Sequence, residues 1–421
     1  MEPLDIVLIA LAILGFGLLS RRFEAGIVTA PMAFVAAGLL VGPAGLDLLN
    51  LDLDHHFLHG LAEVTLVLVL FTDASRIDLG LLRREHDLPV RMLGLGLPLT
   101  IALGAVVAAA LFGTLSFWEA AVLAAILAPT DAALGEAVVS NKAVPVRMRQ
   151  TLNVESGLND GIALPMVLIL LACAGAASET ERSLSDWLWF AGLQVGLGPL
   201  AGIAVGWLGG WLIDKAVRHE WMSHVFQQIS AIALALLAFA LAEEIGGNGF
   251  IAAFCAGLTI GNTKRGVCHS LYEFGEAEGH LLTILAFFFF GVAMVPEVLP
   301  HIDFMVIAYA VLSLTVVRML PVTLSLLGTG LSWCSHLFLG WFGPRGLASI
   351  LFLLLVVEGA GLPGGETIKV VVITTILLSI VLHGVSAVPA SHWYARQVEQ
   401  PSGEAMAEHE AVGEMPLRSG R

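Results

Sequence analysis

The chain has 421 residues, is 57% hydrophobic and 13% charged, and has a mean hydropathy of +0.87, which leaves too little polar surface for a soluble globule. Its formal net charge of -15 comes from acids that cluster in loops and in the tail, so it does not denote an acidic soluble protein. No basic patch or zinc-like spacing points to nucleic acid, and Cys173, Cys255, Cys268 and Cys334 include no Cys-x-x-Cys pair and promise no disulfide framework.

A spanning helix needs about 20 mostly apolar residues. The first apolar run follows Met1-Glu2-Pro3-Leu4-Asp5, with no positive segment before it and no small-residue cleavage site after it. It reads as a retained span rather than a signal peptide. Apolar runs between turn residues predict thirteen spans, at about 3–19, 26–45, 57–74, 89–112, 117–139, 149–175, 186–213, 223–244, 248–262, 280–297, 303–328, 335–358 and 367–390. The ninth is short and rich in small residues, the pattern of a re-entrant segment. A transmembrane domain over 1–395 is followed by a tail, 396–421, whose lack of apolar period predicts disorder.

The basic residues orient these spans. Arg21 and Arg22 follow the first, Arg76, Arg83, Arg84 and Arg91 the third, and Lys142, Arg147 and Arg149 the fifth. Lys215 and Arg218 follow the seventh, Lys264 and Arg265 the ninth, and Arg396, Arg418 and Arg421 the last. Only Arg182 and Lys369 fall on the other side, while Arg318 and Arg345 lie inside spans. The basic side is the cytoplasmic one. A multi-pass inner (plasma) membrane protein is expected, with its N-terminus outside and its C-terminus inside.

Thirteen spans divide as six, one and six. The predicted fold is an all-α polytopic membrane protein with inverted six-helix repeats, about 1–175 and 223–390, joined by a linker span at about 186–213. In that register Pro129-Thr130-Asp131 lies in the fifth span, and Gly343-Pro344-Arg345-Gly346 lies in its counterpart, the twelfth. Matched broken helices are a sequence pointer to a substrate site.

Asp131, Glu155, Asp160, Arg318 and Arg345 all fall at depth, where a carboxylate costs roughly 2.5–3.5 kcal/mol on insertion scales. Ser156 and Asp160 share a helix face, whereas Glu155 points about 140° away from Asp160. Glu155 is therefore assigned to a structural ion pair with Arg318, and Asp160 is left facing a cavity. Three acids against two arginines leave one negative charge, which either a proton or a monovalent cation can neutralise. The hydroxyls of Thr130 and Ser156, with carbonyls freed at Pro129, would complete an oxygen shell suited to a hard cation. Asp131 and Arg345 have two readings, as neutralisers of helix dipoles or as direct ion contacts. Asp73 either reaches the site or pairs with Arg76. Gly202, Gly206 and Gly210 have small-xxx-small spacing, read as close packing in preference to a dimer motif.

Four motifs in order give the chain a resemblance: Pro-Thr-Asp at 129–131, Glu-Ser-x-x-Asn-Asp at 155–160, Arg318, and Arg-Gly at 345–346. It resembles the cation–proton antiporter family that includes NhaP-type exchangers and the animal sodium–proton exchangers. The resemblance implies an NhaA/NapA-like fold in which helices five and twelve cross at their broken centres, with Asp131 and Arg345 opposing the helix-end dipoles. It further implies Asp160 as the shared carrier, Asn159 as the mark of electroneutral one-for-one exchange, a homodimer, and elevator-like movement of a core bundle. The expected cargo is Na⁺, with Li⁺ and K⁺ as alternatives, against H⁺; no cofactor is expected. This sequence departs from the pattern at Ala132-Ala133, where Pro-Val is usual, and at Gly157, where Leu is common. The rival classes are a cation channel or uniporter without proton coupling, and an intramembrane protease. No filter sequence supports the first, and neither Gly-x-Gly-Asp nor a Ser nucleophile with a matching intramembrane His supports the second.

Overall fold

Pro129 has no N–H to donate, and its ring disfavours helical backbone at Ala128. In the computed structural model one helix accordingly ends at Ile126 and the next begins at Ala132. Gly343-Pro344 interrupts the chain in the same way between Trp341 and Leu347. The structure describes residues 3–24, 26–49, 55–84, 87–178, 184–263, 279–360, 362–399, 406–410 and 412–415. The readings that involve Arg182, Lys264, Arg265, Cys268, Arg418 and Arg421 lie outside the described residues.

The described residues contain helices and no strand. In chain order they are α1 (Pro3–Glu24), α2 (Ala30–Val41), α3 (His55–Arg76), the short α4 (Leu79–Arg84) and α5 (Asp87–Leu111), which holds a π turn at Met92–Gly96. Next come α6 (Phe117–Ile126), α7 (Ala132–Val139), α8 (Val146–Ser178), α9 (Leu184–Arg218), α10 (His224–Glu244) and α11 (Gly249–Thr263). The last are α12 (Gly279–His301), α13 (Phe304–Ser325), α14 (Trp333–Trp341), α15 (Leu347–Ala360) and α16 (Gly365–Gln397). When α4 is set aside and the broken pairs α6/α7 and α14/α15 are each counted once, the described helices coincide with the spans read from the sequence. Eight are by themselves long and apolar enough to cross a membrane. Exposed Trp189, Leu200, Trp207 and Leu212 give α9 an apolar outer face, as lipid contact requires.

Small residues set how closely the helices approach. On α11, Gly257 and Gly261 lie against the carbonyls of Phe71 and Ser75 in α3, where a Cβ would collide with backbone. Gly202 and Gly206 of α9 lie in the same way against the backbone of Ala252 and Ala256 in α11. Those two glycines therefore serve packing within one chain. The long α8 packs against α6, α7 and α9, and α16 packs against α13, α15 and α7.

The described parts of the tail, 406–410 and 412–415, hydrogen-bond to the helical body. Glu408 Oε1 accepts from Ser332 N–H and Ser335 Oγ–H, both at 2.7 Å, at the start of α14. Arg147 at the start of α8 donates to the Ala407 carbonyl at 2.6 Å and pairs with Glu410 at 2.9 Å. Gln150 makes two hydrogen bonds to the Met415 backbone, at 3.0 and 3.4 Å. His409 bonds the Val398 carbonyl at 2.7 Å, and Gly413 lies against Leu81. Glu408 and Glu410 of the tail thus find specific donors. The pairs of Arg147 and Arg149 with the exposed Glu410 and Glu414 contribute little, so the buried Glu408 is the anchor.

Burial raises the Glu408 pKa, but the hydrogen bonds from Ser332 and Ser335 outweigh it and hold the carboxyl below its ordinary value. A depressed carboxylate favours docking above its unfolded pKa and loses that contribution as pH falls through the lowered value. Deuterium exchange of residues 406–415 should therefore stay slow from neutral pH down into the ordinary carboxylate range, about pH 4. At pH 7, Glu408→Gln should exchange faster. Equal rates for the two proteins at pH 7 would contradict the anchor.

Candidate ion site at the helix crossing

At each break the missing helical hydrogen bonds leave N–H groups at the starts of α7 and α15 and carbonyls at the end of α6. Asp131 has extended backbone and is the N-cap of α7, its Oδ1 accepting from Ala133 N–H at 2.7 Å and Leu134 N–H at 3.2 Å. Its Oδ2 accepts from Leu347 N–H at 2.5 Å, at the start of α15. One carboxylate thus caps two half-helices. The breaks also touch directly, Asp131 N–H donating to the Pro344 carbonyl at 2.8 Å. From the other strand of the crossing, Arg345 donates to the Ala128 carbonyl and, at 3.1 Å, to that of Pro129. Negative charge therefore stands at helix N-termini and positive charge at a C-terminus, as the peptide dipoles favour.

Two glycines make room for this. A Cβ at Gly346 would overlap Asp131 Oδ2, and one at Gly343 would overlap Arg318 Nε. Gly343 and Gly346 of the Gly-Pro-Arg-Gly stretch thus accommodate, respectively, a guanidinium and a carboxylate against bare backbone. Arg318 in α13 donates from Nη2 to Glu155 Oε1 of α8 at 2.5 Å, with both side chains almost fully buried.

Beside the crossing, Thr130 gathers polar groups from α8. Ser156 Oγ donates to its carbonyl at 2.8 Å, and Asn159 Nδ2 donates to its Oγ1 at 2.5 Å. Asn159 is 1% exposed, and its Oδ1 accepts no hydrogen bond among the described residues, leaving an acceptor oxygen inside the protein. Thr130, Asp131 and Ser156 form the inner wall of a cleft that is also lined by Glu136, Ser140, Asn153 and Phe342. Asp160 is 9% exposed and stands one turn beyond Ser156 on the same face of α8. It is not on the cleft lining, and neither is Asp73, which is half-buried on α3. The chain after α3 returns to the site through Ile77, which packs beside Gly157 of α8.

The structure thus brings Thr130, Ser156 and Asn159 into one cluster, Asp131 and Arg345 into the crossing, and Glu155 and Arg318 into a pair. It adds Glu136, which sequence reasoning passed over. Its signal was a single acid on the otherwise apolar half-helix Ala132–Val139, about one and a half turns past Asp131. Ser349 of α15 was missed as well; its Oγ donates to the Ile126 carbonyl at 2.8 Å and satisfies the end of α6. No group of three or more His, Cys, Asp or Glu able to hold a metal ion occurs among the described residues.

Discontinuous helices that cross inside an apolar bundle, with carboxylates and hydroxyls gathered at the breaks, define the broken-helix class of polytopic membrane proteins. Residues 6–393 match the family model for the transmembrane region of sodium/hydrogen exchangers, and the chain belongs to that family. It is 27% identical over 361 residues to the K(+)/H(+) antiporter NhaP2 of Shewanella sp. (strain MR-4), covering 86% of this chain and 62% of the relative. The K(+)/H(+) antiporter NhaP of Alkalimonas amylolytica is also 27% identical, over 429 residues that cover 98% of this chain and 72% of that one. The chain thus spans less than two thirds of the length of the NhaP2 relative. The sodium proton antiporter MjNhaP1 of Methanocaldococcus jannaschii, solved at pH 8, superposes with a TM-score of 0.77 at 20% identity, covering 94% of this chain and 98% of that one. The all-helical fold read from the sequence agrees with that likeness.

Proposed function

We propose that the protein exchanges one monovalent cation for one proton across the membrane, electroneutrally, with Asp160 as the shared carrier. The observation that carries this reading is the division of labour among the charges. Asp131 has both oxygens engaged by helix N-termini, and Glu155 is paired with Arg318. Of the three acids, Asp160 shares a face of α8 with Ser156, one turn away, and directly follows Asn159 in the chain, which supports it as the carrier. An oxygen-only set suits Na⁺, K⁺ or Li⁺. Neutralising one carboxylate by either a proton or a cation couples their movements one for one. A pH difference of one unit supplies about 1.4 kcal/mol per proton, enough to hold about a tenfold opposing cation gradient.

The cleft opens beside Ser140 and Asn153, near the end of the molecule that carries Arg91, Arg147 and Arg149. The positive-inside rule supports a cytoplasmic position for that end, with the N-terminus outside and the C-terminus inside. The inner (plasma) membrane is the location this orientation fits, and a homodimer is the assembly we propose. The names of the NhaP relatives and of MjNhaP1 support both K⁺ and Na⁺ as candidate cargo. No cofactor enters the scheme.

The test is reconstitution into liposomes with a preformed pH gradient. Adding Na⁺, K⁺ or Li⁺ should dissipate the gradient at zero membrane potential, and the order of the three would assign the cargo. A protein that moves none of the three at any pH between 6 and 9 is not this antiporter. Cation flux that ignores the pH gradient and carries current would support a channel instead.

A further inference from the structure

In an unbroken helix the Arg345 N–H would donate to the carbonyl of Trp341, four residues earlier. The break between α14 and α15 removes that bond, and two side chains of α16 stand in its place. Ser379 Oγ accepts from Arg345 N–H at 2.7 Å. The same oxygen lies 3.2 Å from His383 Nδ1, and His383 Nε2 lies 2.9 Å from the Trp341 carbonyl oxygen. Ser379 and His383 are one turn apart on the same face of α16, 0% and 1% exposed.

The Trp341 carbonyl can only accept, so a bond to it requires the ring hydrogen on Nε2. Nδ1 then accepts from Ser379 O–H, while the Ser379 oxygen accepts from Arg345 N–H. One tautomer satisfies every link. Nδ1 also faces the Ser379 carbonyl at 3.0 Å, a bond that needs a hydrogen on Nδ1, as in the other neutral tautomer or the imidazolium, and that forms at the expense of the link to the hydroxyl. The Trp341 indole stacks on the imidazole at 5.0 Å, and its Nε1 donates to Ser386 Oγ at 2.9 Å, which fixes the plane of the ring.

We propose that Ser379 and His383 are positioning residues of the ion site, splicing the two ends of the broken helix by replacing its missing Trp341–Arg345 hydrogen bond. The splice holds α15 in the register at which the Arg345 guanidinium meets the Ala128 and Pro129 carbonyls and Leu347 N–H meets Asp131. Its effect on exchange rests on the antiporter reading above; its effect on the backbone does not.

Two readouts separate these. In purified protein, amide exchange over residues 343–349 should speed about tenfold in Ser379→Ala and His383→Leu, the loss of one net hydrogen bond. His383→Gln can accept through Oε1 and donate through Nε2, and should keep wild-type protection. In liposomes, Ser379→Ala and His383→Leu should raise the half-saturating cation concentration several-fold more than they lower the maximal rate, with His383→Gln restoring both. The double variant Ser379→Ala/His383→Leu should be no worse than the worse single one, because the two residues form one chain. If His383→Leu does not fold, Ser379→Ala and His383→Gln carry the comparison. Equal amide exchange in wild type and Ser379→Ala would overturn the splice, as would His383→Gln losing protection or additive single effects. An inactive wild type would count against the antiporter reading, and the amide exchange would still decide the splice.

Discussion

Purified Arg318→Met should lose about 3–5 kcal/mol of stability, the cost of removing one partner of a buried ion pair. Arg318 and Glu155 are 1% and 2% exposed and meet at 2.5 Å. Without the guanidinium, Glu155 must either hold an uncompensated charge among apolar side chains or take up a proton, and each option forfeits the pair. Glu155→Leu/Arg318→Met replaces both groups with apolar side chains of similar bulk, and Gly343 leaves room for the straight methionine chain where the guanidinium lay. The double variant should therefore recover most of the loss, with a coupling between the two sites of about 1–3 kcal/mol. Midpoints of thermal unfolding in one detergent check this. A double variant as unstable as Arg318→Met alone would mean that the pair's geometry, and not its charge balance, holds α8 to α13.

What the sequence carried and what it did not divide along physical lines. Span positions were legible because each span meets the membrane by itself, through a run of apolar residues bounded by charges, and Pro129 and Gly343-Pro344 mark breaks with backbone chemistry that needs no neighbour. Glu155 and Arg318 could be matched because an isolated charge at depth demands an opposite one. The double capping by Asp131 was only half legible. Extended backbone before Ala132 predicts an N-cap, but the bond to Leu347 N–H depends on the approach of a helix more than two hundred residues away. Likewise, nothing in Gly-Pro-Arg-Gly says that its two glycines clear space for Arg318 and Asp131. The splice by Ser379 and His383 lay hidden in the last span, where a Ser and a His one turn apart on an apolar helix carry no signal of what they face. The contacts of residues 406–415 were illegible for the converse reason. The tail's composition lacks a core of its own, yet Glu408, Gln150 and Arg147 bind it to a surface that composition does not describe.

Asp160→Asn should reduce cation–proton exchange to the level of empty liposomes while leaving the unfolding midpoint near that of wild type. Asparagine keeps the size of the side chain and its ability to hydrogen-bond, but it neither takes up a proton in this pH range nor offers a negative charge to a cation. Both halves of the exchange fail together. Asp131→Asn makes the comparison informative, because its carboxylate accepts from the starts of two half-helices and is held there by backbone. Asparagine can still cap one half-helix through its carbonyl oxygen, but its amide nitrogen cannot accept from the other N–H, a loss of about 1 kcal/mol or more, so Asp131→Asn should unfold earlier. It should retain measurable exchange with a normal response to the pH gradient. The two carboxylates lie only one helix apart, and these opposite outcomes distinguish a carrier from a cap. Substantial exchange in Asp160→Asn would remove Asp160 from the mechanism. If instead Asp131→Asn abolished exchange at unchanged stability, the carrier role would move to the crossing itself, and the inner wall of the cleft at Thr130 and Ser156 would become the place where proton and cation compete.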